Sequence, residues 1–501
     1  MGADTNPARE IPSLTRLLAR ERSGDGVVAW RHHPVDGDTA ISWGAFRAAV
    51  SGLERRLAAL PAGGVALYTA DSFAFAVGLF GIWHAGRVAV CPPNGQPETL
   101  AALTEVVIAA VSDGPGPVPE RPLLAPEADG RARSVALPPL LPDAPAIELF
   151  TSGTTGRGKA VPKSIAHLER EVESLDAHLW ERVAGAPVLG SASHQHLYGM
   201  LFRVLWPLAS GRPFHSRTLL HAEELSPRLS GRGACALVSV PAHLKRLAQR
   251  NGFADLARAC RVVFSSGGPL DPDTAARWRE AMGEAPTEIF GSTETGGVAW
   301  RCQGSEGAAT PFTPFSGVQV LRDPDGRLRV HSPIASVGDL RSGFAMGDRV
   351  QILRDGRFVV EGRADRVLKI GEKRVSLPDM EERLREHELV EAAALLPLQR
   401  GGDTRVAAAI VLSARGRALL ASAGARGVSL RLREALAREW DRVLLPRAFR
   451  FVEALPEDAQ GKPTLERLAE LFADGGDDGG ADPGAGAGAD GGGSSSGGAG
   501  V

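Results

Sequence analysis

The chain carries Thr151-Ser-Gly-Thr-Thr-Gly-Arg-Gly-Lys159, a run dominated by hydroxyl-bearing residues and glycine that closes on a lysine. Backbone N–H groups in such a run can approach anionic oxygens unobstructed, and Lys159 adds a mobile point charge, so the loop suits a polyphosphate. Ala146-Ile-Glu-Leu-Phe150, directly before it, reads as a short strand, which puts the loop at the edge of a sheet, where nucleotides bind in α/β folds. Gly153 to Lys159 also satisfies the first seven positions of the P-loop pattern, but Ala160 stands where that pattern needs a Ser or Thr hydroxyl for magnesium. The loop by itself leaves the nucleotide fold open.

Outward from the loop, Val65–Thr69 and Arg87–Cys91 read as strands flanking an apolar helix over Ser72–Ala85, a βαβ signature. Downstream, Ala236–Val240, Arg261–Ser265 and Thr287–Phe290 are short apolar runs beside helical segments. Asp271-Pro-Asp supplies an N-cap and a proline at the first helical position of a helix to Met282, so the strands on either side of it run parallel. Ser112–Pro145, rich in proline and glycine, is expected as a surface connection. Past Gly362 the pattern changes: Ser376 caps a helix with Leu377, Met380 and Leu384 on one face, and Val406–Leu412 and Phe449–Val452 read as strands. The expected fold class is α/β. A large N-terminal domain (residues 1–362), with mostly parallel sheets and helices, precedes a small mobile α+β C-terminal domain (363–472), leaving a cleft between them. The tail, 473–501, collapses to Gly, Ala, Asp and Ser and is expected to be disordered.

With 57 basic and 59 acidic side chains the formal charge is -2, too small a field to attract nucleic acid or an anionic membrane. Neither is expected as a partner; small-molecule chemistry is. Cys91, Cys235, Cys260 and Cys302 form no C-x-x-C pair, so neither a zinc site nor a disulfide framework is suggested, and a cytoplasmic location is expected. No apolar run follows Asp4, Arg9 and Glu10, which argues against a secretory signal. The stretch Phe73–Val90 is interrupted by His84 and Arg87 and reads as a buried helix leading into a strand.

Two more loops follow predicted parallel strands: Ser265-Ser-Gly-Gly-Pro-Leu270 and Gly291-Ser-Thr-Glu-Thr-Gly-Gly297. In the second, Glu294 is a hard carboxylate suited to magnesium, Thr293 a donor for a phosphate oxygen, and Phe290 a flat face for a base. Met346-Gly-Asp348 and Arg363 follow; an aspartate can accept from both ribose hydroxyls, and an arginine can reach a hydroxyl or a phosphate. Gln460-Gly-Lys-Pro463 sets Lys462 in a turn before a final helix.

These loops, in this order, resemble the adenylate-forming superfamily of acyl- and aryl-CoA synthetases, carrier-protein ligases and luciferases, over roughly residues 40 to 470. Thr151–Lys159 is similar to that family's phosphate loop, Phe290–Glu294 to its Tyr-Gly-x-Thr-Glu motif, Asp348 to its Thr-Gly-Asp motif, Gly362–Asp365 with Lys369 to its hinge motif, and Gly461-Lys462 to its C-terminal catalytic lysine. The resemblance implies ATP-dependent activation of a carboxylic acid to an acyl-adenylate with release of pyrophosphate. Transfer to the pantetheine thiol of CoA or of an acyl carrier protein follows. It implies Lys462, Thr293, Glu294 and His196 as catalytic residues, with Glu294 holding Mg2+. ATP and AMP would be bound by Thr151, Ser152, Gly153, Thr154, Thr155, Gly156, Lys159, Gly267, Gly268, Pro269, Phe290, Gly291, Asp348 and Arg363. Asp365 would be the hinge, Lys369 and Gly371 would belong to the thiol-transfer loop, and Tyr198, Val298 and Trp300 would lie near the acyl pocket.

The chain departs from the family pattern at Phe290 (tyrosine is usual), Ala160 (glycine) and Met346 (threonine), and Glu372 occupies the usual glycine position of the thiol-transfer loop. The last departure bears on the thiol acceptor rather than on adenylation. Ser193–Gly199, Gly291–Arg301 and Lys369–Pro378 look more narrowly like the freestanding ligases of aryl-polyene and xanthomonadin-type pigment pathways, which implies an aromatic acid and a carrier protein. Two other classes compete: a P-loop phosphotransferase built on Gly153–Lys159, which would yield ADP, and a silent adenylate-binding module, against which Lys462 and Glu294 argue.

Overall fold

The computed structural model describes residues 13–20, 22–33, 37–92, 95, 97–114, 118–126, 137–151, 159–230, 233–336, 342–363, 366–370, 373–400, 403–455 and 465–472. Lys462, Asp365, Gly371, the loop 152–158 and the tail from 473 lie outside these residues.

The expected α/β class holds, with a large sheet-rich N-terminal domain and a smaller C-terminal one. The βαβ unit forms as read. The strands Gly64–Leu67 and Ala89–Cys91 pair in parallel on either side of the helix Ser72–His84, whose N-terminus is capped by Asp71 accepting from the Ala74 N–H. Every residue from Ser72 to Trp83 is buried, which accounts for a sequence apolar on all sides. Among the described residues no helix is long and apolar enough to cross a membrane. In this six-stranded sheet Ala89–Cys91 also pairs in parallel with Pro145–Thr151.

The strand Pro145–Thr151 then pairs antiparallel with Lys159–Ser164, Thr151 opposite Lys159. That pairing corrects the P-loop alternative. A P-loop lysine opens a helix, whereas Lys159 opens a strand, and the helix Ile165–Val183 begins only after that strand ends. Ser112–Pro145 is also more than a surface connection: Leu123–Leu124 pairs in parallel with Val107–Val111, and Val118 is buried.

The second sheet has nine strands. Its central members Val188–Gly190, Cys235–Ser239, Cys260–Ser265 and Thr287–Ser292 run parallel. The helix Pro272–Met282 joins the last two, with Asp271 as N-cap accepting from the Thr274 N–H and Pro272 at its start. Four cysteines are free, and Cys235 and Cys260 are register partners that remain unbonded. Met346–Asp348 lies in mid-strand within Phe344–Ile352, and Asp348 pairs across the ladder with Arg363.

A large hydrophobic core runs from Leu14 to Phe358 in sequence, and a separate one begins at Val375. The second is built by Leu377, Met380 and Leu384 of the helix Leu377–Arg385 against the strands Val390–Arg400 and Asp403–Leu412. Ser376 caps that helix as read, accepting from the Asp379 N–H.

Candidate active site

Between the two domains lies a cavity of about 930 Å3. Exposed Glu105 and half-buried Thr99 and Thr104 of the large domain line it together with half-buried Lys373, Glu439 and Asp441 of the small domain. Its far end is lined by buried Glu171, Leu175, Leu201, Phe202 and Ile289. His196, Ser266, Gly267, Gly291, Thr293 and Lys369 line it as well, so residues from four separate sequence motifs meet on one space.

His196 is the N-cap residue of a short helix, Leu197–Met200, and is placed by its neighbours. His194 is buried, with Nε2 2.9 Å from the Thr69 carbonyl and Nδ1 2.9 Å from the Ser72 hydroxyl. A carbonyl can only accept, so Nε2 carries the proton and Nδ1 accepts from Ser72. Burial first, then the nearby Arg203 charge, pushes the His194 pKa down to about 3, so it is a neutral strut. The Gln195 amide also donates to the Thr69 carbonyl, at 2.6 Å. A side chain at Gly199 would run into the Ser193 carbonyl oxygen, so only glycine closes this turn.

The loop after Cys260–Ser265 is tied down at its far end. Arg301 forks onto Glu288 at 2.8 and 3.1 Å, Glu288 accepts from the Leu270 N–H, and the Gln303 amide donates to the Leu270 carbonyl. Ser266 donates to the Ile289 carbonyl at 2.8 Å, and Gly267 takes a left-handed φ of 85°.

Gly291–Gly297 is the turn of a hairpin between Thr287–Ser292 and Gly296–Cys302. A Cβ on Gly291 would strike the Gly296 carbonyl oxygen. The turn presents Thr293 to the cavity; the Glu294 side chain is 13% exposed, with Oε2 3.8 Å from the Arg374 Nη1 of the small domain. Glu294 is not among the residues that line the cavity; its carboxylate is the hard oxygen ligand magnesium prefers, and here it faces Arg374. Among the described residues no cluster of three or more His, Cys, Asp or Glu could hold a metal by itself.

The small domain contributes a hairpin of Val367–Ile370 with Lys373–Ser376, in which Lys369 pairs with Arg374. Lys369, Lys373 and Arg374 all line the cavity, and Lys373 is held by Asp441 at 2.5 Å.

Other sequence-predicted residues fall elsewhere. The Phe290 ring packs against Phe312 and Phe358, with centroids 5.4 and 5.5 Å away. Tyr198 lines the cavity, but Val298 and Trp300 are not among its lining residues: Val298 is in the core, and Trp300 lies under the Arg182 guanidinium. Asp348 is buried, and the Arg363 side chain lies outside the described residues.

Sequence reading missed His194, the Glu288–Arg301 pair, and a buried ion pair between Lys163 and Glu171, 3.2 Å apart. A signal existed for Glu171. It sits on the helix stripe of Leu168, Val172, Leu175 and Leu179, all buried, where a charge is out of place.

The model of the AMP-binding enzyme family matches residues 93–333. The chain is 31% identical over 317 residues to a 4-coumarate–CoA ligase of Rhodobacter capsulatus, covering 62% of this chain and 73% of that one. It is 25% identical over 482 residues to a salicyl-AMP ligase / salicyl-S-ArCP synthetase of Mycobacterium tuberculosis, covering 82% of this chain and 81% of that one. A solved malonyl-CoA ligase ternary product complex with methylmalonyl-CoA and AMP superposes with a TM-score of 0.74 at 21% identity, covering 89% of this chain and all of that one, a likeness of fold.

Because His194 is held neutral, its protonation favours the unfolded chain. Its folded pKa lies below the unfolded value of about 6.5, so its contribution is complete above that pH and is lost as pH falls toward 3. Urea unfolding at pH 7.5 and 5.5 should show wild type losing about 1.4 kcal/mol more than His194→Asn over that interval; equal losses would mean that His194 does not titrate on unfolding.

Proposed function

This chain belongs to the AMP-binding enzyme family, and from that premise we propose that it activates a carboxylic acid with ATP and hands the acyl group to a pantetheine thiol. In the first step a carboxylate oxygen attacks the α-phosphorus, the bond to the β-phosphate oxygen breaks, and pyrophosphate leaves. In the second the thiolate attacks the acyl carbon and AMP leaves. The observation that carries this reading is the shared cavity: His196, Ser266, Gly267 and Thr293 of the large domain and Lys369 of the small one open onto the same space, which ends in an apolar pocket.

A carboxylate attacks an anionic triphosphate poorly, so charge must be neutralised and the two groups held in line. Lys462 supplies a cation to the reacting oxygens, and the loop 151–159 covers the departing phosphates. Bound by Glu294, magnesium would polarise the phosphates as a Lewis acid. Asp348 and Arg363, opposite each other on adjacent strands, are suited to the ribose and α-phosphate region. Phe290, packed on two rings, is the aromatic side chain this reading assigns to adenine.

The acid in this reading is aromatic. Phe202 and Tyr198 flank the inner cavity, and the coumarate and salicylate named for the two relatives are aromatic acids. The pigment-ligase phrases 193–199, 291–301 and 369–378 favour a carrier-protein thiol, with CoA as the alternative acceptor. Lys369, which lines the cavity, serves thiol transfer in this reading, and Lys462 serves adenylation, the small domain turning about Asp365 between the two steps.

Lys462→Ala should lower acid-dependent pyrophosphate release on the order of a hundred- to a thousandfold with ATP binding retained; unchanged release would remove Lys462 from the reaction. Glu294→Gln should lower activity in a way that excess magnesium only partly restores, because the amide loses the charge a hard cation prefers, and wild-type magnesium dependence would make Glu294 structural. Asp365→Pro, which fixes φ near -65° and restricts the preceding residue, should keep single-turnover pyrophosphate release and lose thioester formation. Loss of both half-reactions, or of neither, would contradict a pivot at Asp365.

A further inference from the structure

The buried residues that the large domain contributes to the cavity are apolar, Leu175, Leu201, Phe202 and Ile289 among them, except for one carboxylate, Glu171. Glu171 is 2% exposed and lines the cavity, while its counter-ion Lys163, with a side chain 0% exposed, stands 3.2 Å behind it and does not line the cavity. Gly297 N–H donates to Glu171 Oε2 at 3.3 Å. Gly296 has a φ of 70°, and a Cβ there would stand 2.7 Å from Glu171 Oε1, so the backbone is cut back to make room for the carboxylate. The carboxylate is therefore clamped from the protein side by an ammonium, an N–H and a missing side chain.

A carboxylate can accept about four hydrogen bonds, and among the described residues this one receives one, from Gly297, in addition to the ion pair. Its Oε1 is buried without a hydrogen-bond partner, and the residue lines the cavity together with Leu175, Leu201, Phe202 and Ile289. In so apolar a setting a charge-assisted hydrogen bond is strong, and an acceptor stripped of water without replacement is costly.

We propose that Glu171 selects the acid: it accepts a hydrogen bond from a hydroxyl or amino group at the end of the substrate remote from its carboxyl. The substrates are then acids bearing such a donor, phenolic or aminoaryl acids above all. Acids of the same shape without the donor are disfavoured roughly ten- to a hundredfold, and acids with a second carboxylate there are repelled by like charge. The proposal rests on the acid-activating reading above.

The test measures acid-dependent pyrophosphate release as kcat/KM for matched pairs: benzoate with its 3- and 4-hydroxy and 4-amino forms, cinnamate with 4-hydroxycinnamate, and hexanoate with 6-hydroxyhexanoate. Wild type should prefer a donor-bearing member at least tenfold in one or more pairs. In a Lys163→Met/Glu171→Leu double variant, which removes both buried charges together, that ratio should fall to within about threefold of one. Glu171→Gln keeps the shape and serves if the double variant does not fold; there the ratio should drop at least threefold. Because the readout is a ratio within each protein, a general loss of activity does not imitate it. Equal rates within every pair for wild type, or a preference that survives substitution, would mean that Glu171 only pins Gly297 and would overturn the proposal alone. No release with any acid would overturn the acid-activating reading with it.

Discussion

Parallel strands constrain everything else in the large domain. Val188–Gly190, Cys235–Ser239, Cys260–Ser265 and Thr287–Ser292 run in one direction, so the chain must leave each at the same side of the sheet. His196, Ser266 with Gly267, and Thr293 come after three of those ends and therefore converge, although a hundred positions of sequence separate the first from the last. Convergence alone is not alignment. The loops are held by buried polar struts, His194 behind His196 and Glu288 with Arg301 behind Leu270, and by glycines where another backbone comes too close for a side chain.

The small domain follows a different rule. Its core begins at Val375 and is separate from the large one, and it lines the cavity with a mixed surface: Lys369, Lys373 and Arg374, the last toward Glu294, beside apolar Trp440 and Leu444. Ion pairs of this kind are weak enough to be exchanged, which suits the domain turn proposed above. The cavity's lining thus combines half-buried charged residues of the small domain with buried apolar residues and Glu171 of the large one.

Much of this was legible in the sequence because local rules agreed with the tertiary outcome. The Asp271-Pro272 helix start, the Ser376 cap and the all-apolar helix at Ser72 each formed where residue chemistry placed them. The strand after Lys159 was not legible, since Lys159–Ser164 holds Pro162 and two lysines and lacks alternation; only its pairing with Pro145–Thr151 makes it a strand. Val298 and Trp300, expected near the acyl wall by likeness alone, are not among the cavity-lining residues: Val298 is buried in the core and Trp300 lies beneath Arg182. Glu171 was visible as a charge on an apolar stripe, yet its counter-ion lies across a strand-to-helix junction that periodicity does not resolve.

The central claim is that a carboxylic acid becomes an adenylate in this cavity before any thiol is needed. Exchange of labelled pyrophosphate into ATP, measured without CoA or carrier protein across a panel of aromatic and aliphatic acids, tests it most directly. The account predicts exchange that depends on both the acid and magnesium. Absence of exchange with every acid, together with ATP turnover to ADP and phosphate, would contradict it.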